Sequence, residues 1–114
     1  MEQCLFCGVA SGSIPATRVY EDTQTLAFAD IRPQAPTHVI VIPKTHIPRV
    51  SDLTEAHEPL MGHLVRVAND VARTRGIADE GYRLVINCGP SGGQTVYHLH
   101  VHLIGGRTMH WPPG

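Results

Sequence analysis

The chain has 114 residues, 42% of them hydrophobic, with 9 basic and 10 acidic side chains. That is one domain, residues 1–114, with a single modest core, and a formal charge of −1 excludes the broad attraction that nucleic acid or an anionic membrane needs. The apolar runs are too short to span a bilayer, no basic-then-apolar leader is visible, and three cysteines make no disulfide framework, so a reducing cytoplasm is the expected setting.

Cys4-Leu-Phe-Cys7 comes first. A C-x-x-C pair is metal-like or redox-like, but no strand precedes it, and it supplies only two of the four ligands of a structural zinc. Histidines must supply the rest, or the pair is simply two small buried residues. Leu5, Phe6 and Val9 suit one short helix ended by Gly12. Arg18–Glu21 and Thr25–Ala29 read as a hairpin around Asp22-Thr23. Asp30 follows, either a solvated loop carboxylate or an acceptor for a ribose hydroxyl. Pro33 and Pro36 stiffen the next loop. His38-Val-Ile-Val-Ile-Pro43 is a near-continuous β-branched run, which predicts a central strand buried on both faces. Lys44, His46 and Arg49 come after it.

Ser51 to Arg75 carries the helical spacing of Leu60, Leu64, Val67, Ala68, Val71 and Ala72. Asp52 or Thr54 is the expected cap and Gly76 the expected terminator, with Pro59 tolerable only near the start. His57 and His63 fall on the solvent side. Gly81–Cys88 reads as a strand with Asn87 at its end. Gly89-Pro-Ser-Gly-Gly-Gln-Thr95 is a glycine-rich loop whose N–H groups can converge on an anion.

That loop runs into His98-Leu-His-Val-His-Leu-Ile104. Alternation predicts a strand with His98, His100 and His102 on one face, roughly 6.5–7 Å apart at Cα, and Leu99, Val101 and Leu103 on the other. A one-residue slip would bury all three imidazoles in the core. Such a row can hold a nucleophile and a proton path, or a metal. The adjacent anion loop favours the first. Gly105-Gly106 ends the strand, and a lone Trp111 in the tail points to docking on something, such as another subunit. The element order reads as α+β with a mainly antiparallel sheet.

His98–Ile104 resembles the signature of the histidine triad (HIT) family. Asp30–His38, Val41–Lys44, Gly92–His98 and His110–Gly114 resemble its nucleotide-binding (Hint) branch, so the likeness covers nearly the whole chain. It implies the HIT-like fold, a five-stranded sheet with one long and one short helix, extended across a homodimer. It implies purine nucleoside monophosphates as ligands and hydrolysis of nucleoside phosphoramidates through a nucleotidyl-histidine. By that resemblance His100 is the nucleophile, His38 and His98 orient it or relay protons, and His102 and Asn87 hold phosphate oxygens with donors at Gly93 and Thr95. Asp30 matches the ribose acceptor. Leu5, Phe6, Val9, Phe28, Ile31 and Ile40 match the walls around the base, and Trp111 the tail residue that reaches toward the partner's site.

Two positions depart from the animal members. Thr95 stands where they usually carry serine. Cys4 and Cys7 instead resemble bacterial relatives in which these cysteines, with His46 and His98 here, bind a structural zinc; His98 is then mainly structural and only His38 and His102 flank the nucleophile. Other functions consistent with the same residues are a dinucleoside polyphosphate hydrolase and a nucleotide-binding interaction protein with little required turnover.

Overall fold

The computed structural model describes residues 4–114. Five strands, all antiparallel to their neighbours, form one sheet in the order β1 (Arg18–Glu21), β2 (Thr25–Ala29), β3 (Thr37–Pro43), β5 (Val101–Gly105), β4 (Tyr82–Val85). Strand alternation divides β2, β3 and β5 between two faces. Ala27, Val39, Val41, Val101 and Leu103 pack on one face against Leu64, Val67, Ala68, Val71 and Ala72 of the long helix α2 (Glu58–Thr74). Leu26, Phe28, Ile40 and Ile42 face the other way, against Phe6 and Val9 of the short helix α1 (Leu5–Ser11). β3 is buried along its whole length because both layers cover it. No helix among the described residues is long and apolar enough to cross a membrane.

The helix ends follow local chemistry. In α1 the Cys4 sulfur accepts the Cys7 N–H, and Gly12 closes the helix in the left-handed region at φ 89°. Gly76 plays the same part after α2, at φ 74°.

Three predicted elements are shorter than their sequence patterns. The helix expected from Ser51 begins only at Glu58; two 3-10 turns, Val50–Asp52 and Glu55–His57, precede it. Pro59 lies in the first turn of α2, and its ring and missing N–H stop the α ladder from running further upstream. His57, not Asp52 or Thr54, stands at the cap position, and its ring accepts the Thr54 N–H. The strand expected over 98–104 is laddered only from Val101. Upstream, the Leu99 N–H goes to the Ile47 carbonyl and the His98 carbonyl accepts from the His100 ring, so neither serves the sheet. β4 ends at Val85, opposite His102, because its neighbour's ladder stops one residue further on; Asn87 lies beyond the strand.

His63 is not a free surface imidazole. Its Nε2 lies 2.7 Å from Asp22 Oδ2, which also accepts the Tyr20 hydroxyl at 2.8 Å. Asp22 Oδ1 accepts the Gln24 and Thr25 N–H groups. One carboxylate thus joins the β1–β2 turn to α2. Burial works to raise this carboxyl, but its bonds from Gln24, His63 and Tyr20 win, and it titrates well below the usual carboxylate range. An unfolded aspartate titrates near about 3.9. Asp22 therefore contributes its stability in full above that pH and loses it as the pH falls toward the lower folded value. Asp22→Asn is expected to lower the unfolding free energy at pH 7 by about 1–3 kcal/mol and to flatten the acid dependence below about pH 4. Denaturant unfolding at neutral and acid pH checks this. The same acid loss in both proteins would assign that dependence to other groups.

Candidate active site and adjoining metal centre

The α1 side of the sheet carries both polar clusters of interest. His38 on β3 and His102 on β5 share that face: Ile40 opposes His102 in the ladder, and His38 opposes Ile104, which sets the two imidazoles diagonally. His38 Nε2 is 2.9 Å from His102 Nδ1 and 3.3 Å from Asp30 Oδ2.

The protons can be placed by elimination. The Gln34 N–H donates to His38 Nδ1 at 3.0 Å, so neutral His38 carries its proton on Nε2. That proton is donated to His102 Nδ1, with Asp30 at its side, which leaves the His102 proton on Nε2. His100 Nδ1–H donates to the His98 carbonyl at 2.7 Å, which leaves the Nε2 lone pair of His100 without a hydrogen bond among the described residues. Burial lowers the His100 pKa, and burial together with the neighbouring His100 and His38 rings pushes His102 down to about 4. Both rings are therefore neutral at pH 7. Asp30, His38 and His102 come close enough to hold a cation, but the only lone pair of neutral His38 is engaged by Gln34. The cluster is a hydrogen-bond relay, not a ligand set.

His100 and His102 open into a cavity of about 380 Å³ walled by Leu5, Phe6, Val9, Phe28, Ile31 and Ile40, with Asp30 and Thr95 at its margin. The walls are apolar and the polar groups are few and convergent, as small-molecule sites usually are. Phe6 stands edge-on to both Phe28 and His100, with centroids 5.4 and 5.1 Å away. Ile31 is 90% exposed and forms the outer lip. Ile14, Pro15, Ala16, Ala29, Arg32 and Val96 complete the lining; sequence reasoning did not assign them to it, since they follow no shared periodic signal. Asn87, Gly93 and Trp111 are not part of this lining. Trp111 is 82% exposed, and the Arg83 guanidinium holds the tail through the His110 carbonyl.

His98 is set apart from the other two triad histidines. Its ring is fully buried and turned toward Cys4, Cys7 and His46. His98 Nδ1 lies 3.3 Å from Cys4 Sγ, 3.6 Å from Cys7 Sγ and 3.3 Å from His46 Nδ1; Cys7 Sγ lies 3.3 Å from His46 Nδ1. A tetrahedron of two sulfurs and two nitrogens at ordinary zinc bond lengths has edges of about 3.3–3.8 Å. The donor set fits. His98 Nε2–H donates to the Pro43 carbonyl at 2.8 Å, which turns the Nδ1 lone pair into the cluster. Only the His98 carbonyl, not its ring, reaches His100.

A HIT domain family model matches residues 11–109. A 14 kDa zinc-binding protein of Zea mays is 52% identical over 112 residues, covering 96% of this chain and 87% of that one. The crystal structure of a HIT family hydrolase from Legionella pneumophila superposes with a TM-score of 0.97 at 52% identity, covering 98% of this chain and 100% of the other. A histidine triad nucleotide-binding protein from Candida albicans does so with a TM-score of 0.81 at 28% identity, over 96% and 83% of the two chains.

Proposed function

The chain belongs to the HIT family, and on that footing we propose that it is a hydrolase of purine nucleoside phosphoramidates acting through a covalent nucleotidyl-histidine. One observation carries the reading. The Nε2 lone pair of His100 is free beside an apolar-walled cavity, its other nitrogen is pinned by a carbonyl, and the neighbouring His102 presents an Nε2–H donor. A pinned neutral imidazole is a nucleophile that needs no deprotonation.

In the proposed cycle the base lies between Phe6, Val9, Phe28, Ile40 and the rims Leu5 and Ile31, and Asp30 accepts from the ribose. His100 Nε2 attacks the α-phosphorus. The P–N bond to the leaving amine breaks as a P–N bond to His100 forms, and the amine departs with a proton, for which Thr95 offers the adjoining hydroxyl. His102, Asn87 and the Thr95 N–H hold the phosphate oxygens, the Gly93 N–H would join them only on leaving the Pro90 carbonyl, 3.1 Å away, and His38 keeps His102 in its donating tautomer. Water then attacks phosphorus and the P–N bond to His100 breaks; a water proton returns to the Thr95 oxygen, and the nucleoside monophosphate leaves with His100 restored.

Cys4, Cys7, His46 and His98 would hold a zinc ion. Two thiolates and two imidazoles leave it no open position, so it would supply cross-linking alone. A homodimer fits β4, whose outer edge has no strand neighbour among the described residues and borders a groove of about 690 Å³. Trp111 of one copy would reach toward the partner's cavity. Free cysteines fit a reducing compartment such as the cytoplasm.

The test is release of a fluorescent amine from an adenosine phosphoramidate, compared with hydrolysis of diadenosine tetraphosphate. Faster phosphoramidate turnover supports the proposal; the reverse order moves the assignment to dinucleoside polyphosphates. The same assay across pH carries a second expectation. Protonated His102 would place an Nδ1–H against the His38 Nε2–H and protonated His100 would lose its attacking lone pair, so kcat/KM should fall only below the ordinary imidazole range, with the His102 contribution at about 4. An acid limb at or above about 6.5, the ordinary imidazole value, would count against the depressed pKa values of His100 and His102 on which the mechanism rests.

A further inference from the structure

The reading above accounts for the loop donors and for His100, but not for what holds one in place against the other. Gln94 lies between them and is 6% exposed. Its Oε1 accepts the Gly89 N–H at 2.9 Å, while its own N–H donates to the Gly89 carbonyl at 3.0 Å. Its Nε2 donates to the Pro48 carbonyl at 2.8 Å and the Val96 carbonyl at 3.1 Å. Oε1 has its donor and both N–H groups are spent, so Gln94 has no donor to offer a ligand.

These bonds close the glycine loop upon itself. Gly89 and Gly93 adopt positive φ, and a Cβ on Gly92 would meet the Cys88 carbonyl oxygen at 2.3 Å. Such a tight turn has few alternatives once its ends are joined. Pro48 lies two residues past His46, and the Leu99 N–H bonds the Ile47 carbonyl. The segment that Gln94 grips is thus the one that also fixes the backbone between His98 and His100. Thr95, next in sequence, lines the cavity.

We propose that Gln94 is a positioning residue for phosphate: it sets the Thr95 N–H at a fixed distance from His100 without touching the ligand. This rests on the nucleotide reading above. Without the carboxamide, the Gly89 N–H and the Pro48 and Val96 carbonyls lose their partner, and the loop relaxes away from the triad.

The experiment measures dissociation constants of AMP and of adenosine by calorimetry for wild type and Gln94→Ala. The ratio of the two isolates the phosphate contribution. The variant is expected to lose about tenfold or more in AMP affinity while binding adenosine as before. A parallel loss for both ligands, or none for either, overturns the proposal, since a role confined to stability would not change the ratio. A wild type that binds adenosine and AMP equally defeats the nucleotide-phosphate reading itself, and the inference with it. Gln94→Met, which keeps the buried volume, serves if the alanine variant fails to fold. Amide exchange at Gly89 in the wild type needs no variant: AMP is expected to slow it, and unchanged exchange counts against the proposal.

Discussion

His100→Asn is expected to lower turnover on the order of 10⁴-fold or more while leaving AMP affinity within a few-fold of wild type. The imidazole does two separable things. Nδ1–H donates to the His98 carbonyl, and Nε2 presents the lone pair. An asparagine amide can still donate toward that carbonyl, so the buried acceptor keeps a partner and the strand keeps its start. Nothing in the variant stands where Nε2 stood. The apolar walls, Asp30 and His102 remain, and these are the groups assigned to binding. Single-turnover amine release and calorimetry with AMP separate the two functions. Turnover above a tenth of wild type would exclude His100 as nucleophile. Loss of binding equal to loss of turnover would make it a contact residue instead.

Removing the zinc proposed for Cys4, Cys7, His46 and His98 is expected to cost both stability and nucleotide affinity. The four ligands come from the start of α1, from the segment after β3 and from the residue two before His100. In small domains the free energy of structural zinc binding is largely folding free energy. Here two apolar layers also support the fold, so a partial loss of about 3 kcal/mol is reasonable. For a chain of this size that lowers the unfolding midpoint by roughly 10–15 °C. Binding should suffer too, because α1 carries Leu5, Phe6 and Val9 into the cavity wall as well as Cys4 and Cys7 into the cluster. Removal of the metal by a chelator, or Cys7→Ala, is expected to weaken AMP binding about tenfold. Linkage requires the reciprocal: AMP must then tighten metal binding by the same factor, measurable as slower transfer to a competing chelator. Metal-free protein with an unchanged midpoint and unchanged AMP affinity would make the cluster incidental to the site.

These expectations identify His98 as the pivot of the molecule. Its ring belongs to the cysteine cluster and its carbonyl belongs to His100, so one residue couples the two centres through its own backbone. Phe6 repeats that coupling from the other side, edge-on to both rings at centroid distances of 6.1 and 5.1 Å. Neither coupling involves a long pathway. Each is a direct contact between elements that also meet at the Cys4, Cys7, His46 and His98 cluster.

The sequence by itself determined the layers. The β-branched run of 38–43, alternation in 98–104, helical spacing through 60–72 and glycines at 12 and 76 are local rules of backbone geometry, and they placed the sheet and both helices, while resemblance to a family marked the apolar walls. The spacing of Cys4 and Cys7 raised a metal but left half its ligands open, and resemblance to a family supplied His46 and His98. Alternation puts three imidazoles on one face and says nothing of where each ring turns. Only the tertiary structure divided them. His98 turns to the cysteines because Pro43 accepts its Nε2–H, and His102 turns to His38 because Gln34 fixes the His38 tautomer. The same holds for Gln94, one polar residue in a loop of glycines until Gly89, Pro48 and Val96 close around its amide. The hydrogen bonds of Gln94 to Pro48, His98 to Pro43 and His38 to His102, 46, 55 and 64 positions apart, leave no periodic trace in the chain. They exist only once the sheet has brought their owners together, and here they assign the chemistry.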